Sequence, residues 1–260
     1  MKGAQERYVD EMKDHFGYYA AWQPGIPLQL GDIGILNGNL FTPISNLNKL
    51  DLPFTTRTDG TANDLEYSSK GAVSITTKLS GTVSPQGSAL AQGDVGIILD
   101  FSSENAVYFK AEQATSDLID DSLTIGNKVL SLFSQGKWDK NWVVITELVK
   151  AASATVVISS TSNSSLELKA TANVQAADVD ITNAELGFKA AFSKGIDTKI
   201  IAQSNLTPLF KLQGIKIRFL ASPVFKAKGL TAFDVITPES SKTTHKNQLF
   251  FGFISTDSRE

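Results

Sequence analysis

Cysteine is absent from this 260-residue chain, and histidine occurs only as His15 and His245. Without a thiolate there is no disulfide, no cysteine nucleophile, no zinc–thiolate centre and no thiol for a lipid anchor. The two histidines stand in a charged N-terminal segment and in a polar stretch near the C-terminus, so neither a Ser/His/Asp triad nor a histidine metal site is supported. Dinucleotide-binding, P-loop, nucleophile-elbow and HExxH patterns are missing as well. These absences predict a protein that is not an enzyme, with no catalytic residue, cofactor or metal. Equally absent is any run of the roughly 18 apolar residues that a membrane-spanning helix needs. The opening MKGAQERYVDEMKDHF is charged throughout rather than signal-like, which predicts synthesis and retention in the cytoplasm.

What is present is a globular composition: 42% hydrophobic and 20% charged residues fit neither a disordered chain nor a membrane bundle. At this length the expectation is one main domain with a small appendage. The formal net charge of −3 is unevenly spread. Between Asp94 and Asp121 seven acids stand against Lys110 alone. From Lys189 to Lys228 the balance reverses, with Lys194, Lys199, Lys211, Lys216, Arg218 and Lys226 also basic and Asp197 the one acid. That segment is either a solvated face or one that attracts an anionic surface such as lipid headgroups. No nucleic-acid partner is expected, because the net charge is negative and no aromatics alternate with the basic residues as stacking platforms.

Tyr8, Val9, Met12 and Phe16 recur at helical spacing among charged residues, which predicts a helix over 4–16 ended by Gly17. Asn37-Gly38 between apolar runs predicts a tight hairpin with positive φ. From Gly71 to Ser84, Val73, Ile75, Leu79 and Val83 alternate with polar residues, and Val95, Ile97, Leu99 and Phe101 resume the pattern after a turn. Continued through Val107, Phe109 and Ala111, this reads as one long hairpin over 71–114. A second long hairpin is predicted over 155–192, with Leu166, Leu168, Ala170, Leu186 and Phe188 on its apolar side. Between them, Leu123, Ile125, Val129, Leu132 and Phe133 predict a helix over 122–136, capped by Asp121 or Ser122 and stopped by Gly136. VVITELVKA predicts a strand covered on both sides, in which Glu147 needs an ion pair or an edge position.

Pro238 to Gln248 contains no large apolar residue and reads as an exposed linker, after which Leu249, Phe250, Phe251, Phe253 and Ile254 form an apolar patch. Two meanings are open for it: a docked tail that switches the protein, or a last strand completing the sheet. The alternating hairpins have two meanings as well. They are an ordinary sheet with one wet face, or strands that can refold into a membrane barrel, where about 9–11 alternating residues span the hydrocarbon.

WDKNWVVITELVKAASATVVIS, from Trp138 to Ser159, resembles the strand with a V-V-T-E-V core of gasdermin pore-forming domains. The order of elements is also similar to bacterial gasdermins: a short helix, a long hairpin, a helix, that strand, a second hairpin and a short tail. The resemblance implies an α+β fold with a twisted, mainly antiparallel sheet and flanking helices, and a cytoplasmic monomer that a protease activates. The freed body would then oligomerise in the inner membrane and kill the cell during phage infection. Bacterial members often carry a lipidated cysteine, and this chain has none.

The expected organisation is therefore a pore-forming domain over 1–237, a cleavable linker over 238–248 and an autoinhibitory tail over 249–260. Cleavage is expected within Lys242, Thr243, Thr244, His245, Lys246 and Asn247. Val73, Ile75, Leu79, Ile97, Leu99, Leu166, Leu168, Leu186 and Phe188 are the candidates to face lipid, and the expected partners are an activating protease, anionic inner-membrane lipids and further copies of the chain. The alternative is a soluble, non-enzymatic binding or scaffold module using segment 189–228.

Overall fold

The computed structural model describes residues 3–79, 82–84, 95–170, 188–194, 199–218 and 248–254. Helix α1 spans Ala4–Phe16 and buries Tyr8, Val9 and Met12, the apolar positions that its spacing puts on one side. Gly17 closes it at φ 72°, donating its N–H to the Lys13 carbonyl. Helix α2 spans Ser122–Ser134 and buries Ile125, Gly126 and Val129. The Asp121 carboxylate accepts from the Thr124 N–H at 2.9 Å, and Gly136 takes φ 71° after the last turn.

Apart from a short 3-10 helix at Leu47–Leu50 and connecting segments, the rest of what is described is mostly antiparallel sheet, so the architecture is α+β. Eight strands form the first sheet: β1 (Tyr19–Ala20), β2 (Asp32–Asn37), β3 (Leu40–Asn46), β4 (Thr56–Ser68), β8 (Val107–Ile119), β9 (Trp142–Ile158), β12 (Lys199–Arg218) and β13 (Gln248–Phe253). The turn from β2 to β3 places Gly38 at φ 59°, which a side chain would resist. Strand β9 is the spine, paired with β8 along one edge and β12 along the other. Every residue from Val143 to Val149 is buried, which is why its sequence runs apolar without alternation.

The second sheet has five strands in the order β11 (Phe188–Lys194), β10 (Ser164–Ala170), β7 (Val95–Phe101), β5 (Val73–Leu79) and β6 (Thr82–Ser84). Among the described residues, three apolar clusters hold the first sheet. One packs α1 through Tyr8, Val9 and Met12 against Val107, Phe109, Val156 and Ile158. Another gathers Tyr19, Phe41, Ile145 and Phe210. The third packs Ile125 and Val129 of α2 against Ile33, Leu47 and Val144.

Candidate functional site

The two long hairpins read from the sequence are not confined to one sheet. Strand β4 leads into β5 across 69–72, β7 into β8 across 102–106, and β9 into β10 across 159–163. Strands β11 and β12 are likewise consecutive, although 195–198 lie outside the described residues. The order β4-β8-β9-β12 in the first sheet is matched strand for strand by β5-β7-β10-β11 in the second. The antiparallel unit is thus interrupted along one line of breaks, a crease between the two sheets. Parity is kept across it. Leu65 and Tyr67, then Val73 and Ile75, are all odd-numbered, as are Val107 and Phe109 beyond Leu99 and Phe101. Val156 and Ile158 share even parity with Leu166 and Leu168. The alternating pattern therefore reads as continuous strand even where the chain bends.

Each described break contains one left-handed residue: Gly71 at φ 68°, Asn105 at φ 61° and Asn163 at φ 57°. Glycine and asparagine are the types that tolerate this conformation. Serine hydroxyls replace the interrupted ladder. The buried Ser69 hydroxyl accepts from the Val107 N–H at 2.8 Å and donates to Glu11 Oε2 at 2.6 Å. The Ser159 hydroxyl, fully buried, accepts from the Ala106 N–H at 2.9 Å and donates to the Ser103 carbonyl at 2.8 Å. By contrast the Ser103 and Ser160 hydroxyls are buried without a hydrogen-bond partner, a cost on the order of 1–3 kcal/mol each for the interrupted state. Sequence reasoning passed over these residues. Their signal is a Ser-Ser pair followed by glycine or asparagine, as in Ser68-Ser69-Lys70-Gly71 and Ser102-Ser103-Glu104-Asn105.

The second sheet gathers the lipid-facing candidates. Ile75 pairs with Leu99 and Leu99 with Leu166, Ile97 pairs with Leu168, Val73 with Phe101, Leu79 with Val95, and Phe188 with Ala170. Directly paired residues share a face, so Val73, Ile75, Leu99 and Leu166 lie on one side of the sheet. Leu186 lies outside the described residues. Leu99 and Leu166 are buried, and Val73 and Ile75 half-buried. On the opposite face stand Ser74, Thr76, Ile98, Asp100 and Ser165, and the backbones of Lys78, Lys169 and Lys189 fall in one row with Gly96.

Strand β13 pairs with β12 from Gln213↔Phe253 to Arg218↔Gln248, on the edge opposite β9. Gln248, the last residue of the expected linker, is already paired with Arg218. Phe251 packs into the α2 cluster and Ile254 into that of Tyr19 and Phe210. The Tyr19 hydroxyl donates to the Ile254 carbonyl at 3.3 Å. Docking is shallower than five buried side chains: Phe253 is 56% exposed, and Leu249, Phe250, Phe251 and Ile254 are half-buried. Short strands put one face toward the body and leave the other wet, so the hydrophobic stabilisation is reduced accordingly. Lys242 to Asn247 lie outside the described residues.

Glu147 meets its need for a partner inside the sheet. Its Oε2 receives the Lys211 ammonium at 2.9 Å, and its Oε1 accepts from the Tyr18 hydroxyl. Lys211 also sits 4.3 Å above the Tyr18 ring. One cation of the basic segment is thereby committed to holding β12 on β9. No family model matches the chain, and no curated protein is similar enough to it to stand as a relative.

Proposed function

We propose that this protein is a gasdermin-like, autoinhibited pore-former. It waits as a monomer in the cytoplasm until a protease cuts ahead of β13. The freed body then oligomerises in an anionic inner membrane and permeabilises it, causing cell death in antiphage defence.

One observation carries the reading: four strands of one sheet continue in the same order into four strands of the other, and the three whose breaks are described keep parity across them. Straightening at the crease would join each strand of the second sheet to its continuation in the first, giving a run longer than the roughly 9–11 residues that a tilted membrane strand requires, and where parity is kept no side chain changes face. The apolar face would meet lipid, and the opposite face would line water. Four antiparallel strands per copy also allow neighbours to join with no change of direction, since β4 of one copy runs opposite to β12 of the next. The β4 edge is exposed from Thr56 to Asp64, whereas β13 occupies part of the β12 edge. Removing β13 would free the β12 edge from Gln213 to Arg218 for a second copy, while β1 still holds that edge at Leu209 and Phe210. The alternative module built on 189–228 gains no support from Lys211, which is engaged with Glu147.

The test is to install a specific protease site within Lys242 to Asn247, cut the purified protein and follow dye release from anionic liposomes. Intact protein should be silent, and cut protein should release small dyes before large ones. Cut protein that stays monomeric over sealed liposomes, with the tail shown to have left, would return the function to the binding module.

A further inference from the structure

Helix α1 does more than cover the sheet. Glu11 Oε2 receives the Ser69 hydroxyl on the strand side that leads into β5. Arg7 bridges the other side, binding Glu11 Oε1 through Nε at 2.8 Å and the Glu104 carbonyl through Nη1 at 3.1 Å. Glu104 lies between β7 and β8, next to Ser103, whose carbonyl accepts from Ser159 between β9 and β10. Hydrogen bonds, joined by the Ser103–Glu104 peptide link, therefore connect α1 to all three described breaks. The same helix packs Tyr8, Val9 and Met12 on Val107, Phe109, Val156 and Ile158, whose parity continues into the apolar face of the second sheet.

We infer that Arg7 and Glu11 of α1, with the hydroxyls of Ser69 and Ser159, form a latch across the crease, and that its opening is a second activation step separate from loss of β13. The inference rests on the pore-forming reading. While the latch is closed, the left-handed residues at the breaks are held and the ladder stays interrupted. Once α1 leaves, the Ser69 hydroxyl loses the Glu11 carboxylate that orients it and the Glu104 carbonyl loses Arg7. The bonds from the Val107 and Ala106 amides to Ser69 and Ser159 are then no longer braced and can give way to pairing with a neighbouring strand, and the apolar face under α1 becomes available to lipid. Losing the tail uncovers an edge, and losing the latch lets the strands straighten.

The experiment compares the full chain carrying the installed protease site with its Glu11→Ala and Arg7→Ala variants. Arg7 is partly exposed, so its removal leaves the fold intact even where Glu11→Ala is less stable. Asn39→Ala is the control: it removes the 2.7 Å bond from Asn39 to Asp10 of α1 and touches no crease residue. In uncut protein, amide exchange at Ala106 and Val107 should quicken about ten-fold or more in both latch variants and stay unchanged in the control, with the amides of Val143 to Val149 slow throughout. After cutting, both variants should release dye several-fold faster than the parent, and uncut variants should remain silent. Unchanged exchange at the crease, or an equal rise along β9, overturns the latch. So does faster exchange with an unchanged release rate in a parent that does leak. A cut parent that never leaks refutes the pore-forming reading, and the exchange comparison still decides whether α1 holds the crease.

Discussion

At the residue scale, every tyrosine in the chain is held protonated. Burial pushes Tyr19 up to about 12 and pushes Tyr8 higher still. Tyr108 is raised by burial first and then by the nearby carboxylates of Glu66 and Glu112. Burial also leads for Tyr18 and Tyr67, reinforced by Glu147 and Glu11 respectively. Lys211 is raised as well: burial opposes its charge, but Glu147 and the Tyr18 hydroxyl outweigh that. All these folded-state values lie above those of the unfolded chain, about 10 for tyrosine and 10.4 for lysine. The unfolded state therefore releases protons first as pH rises, so this stability is complete below about pH 10 and is lost above it. A urea midpoint measured against pH should fall steeply beyond about pH 10, with the tyrosinate absorbance appearing together with unfolding. Tyrosinate that titrates near pH 10 while the fold persists would contradict the burial described. Asp117 belongs to the other limb. Despite burial, the Lys150 ammonium and the Thr58 hydroxyl hold its carboxyl below the ordinary value, so its contribution is lost as pH falls below about 4.

At the element scale, one glycine sets how closely β13 packs on α2. A Cβ on Gly126 of α2 would lie 2.9 Å from the Cβ of Phe251, an approach that neither backbone can accommodate without moving. Gly126→Val should therefore lever β13 away at a cost of about 1–3 kcal/mol, seen as faster amide exchange from Leu249 to Phe253 while Ile125 and Val129 remain protected. An unchanged β13 would mean that α2 does not hold it. This contact was not legible in the sequence, because nothing in the composition of 122–136 marks which helix face meets a strand so far along the chain. The helices themselves were legible: Tyr8, Val9 and Met12, then Ile125 and Val129, carry a helical period that only one face can satisfy, and both bounds follow from Gly17, Asp121 and Gly136. The Asn37-Gly38 turn and the buried VVITELV strand were legible for the same reason.

The crease is different, and its concealment is physical. Alternation reports which way side chains point, and a bend of four or five residues that preserves parity leaves alternation intact. The segment 71–114 therefore read as one hairpin, although Val107 to Ile119 pairs in the first sheet and Val95 to Phe101 in the second. What the sequence did carry was local: paired serines able to satisfy freed amides, followed by a residue that tolerates positive φ.

At the scale of the whole molecule, the account comes down to whether the strands straighten through the crease with their apolar side toward lipid. The absence of cysteine makes this directly measurable, since single cysteines can be introduced one at a time and labelled. Labels at consecutive positions from Ser69 to Thr76, and at Ile98, Leu99 and Asp100, would be read on the cut protein bound to anionic vesicles whose acyl chains carry a quencher. The uncut protein provides the baseline, because Leu99 is already buried there. The account predicts quenching at Gly71, Val73, Ile75 and Leu99 and none at Ala72, Ser74, Ile98 and Asp100, with the alternation unbroken through the crease and seen only after cutting. Labels that stay unquenched on cut, membrane-bound protein, or whose alternation stops at the crease, would contradict it.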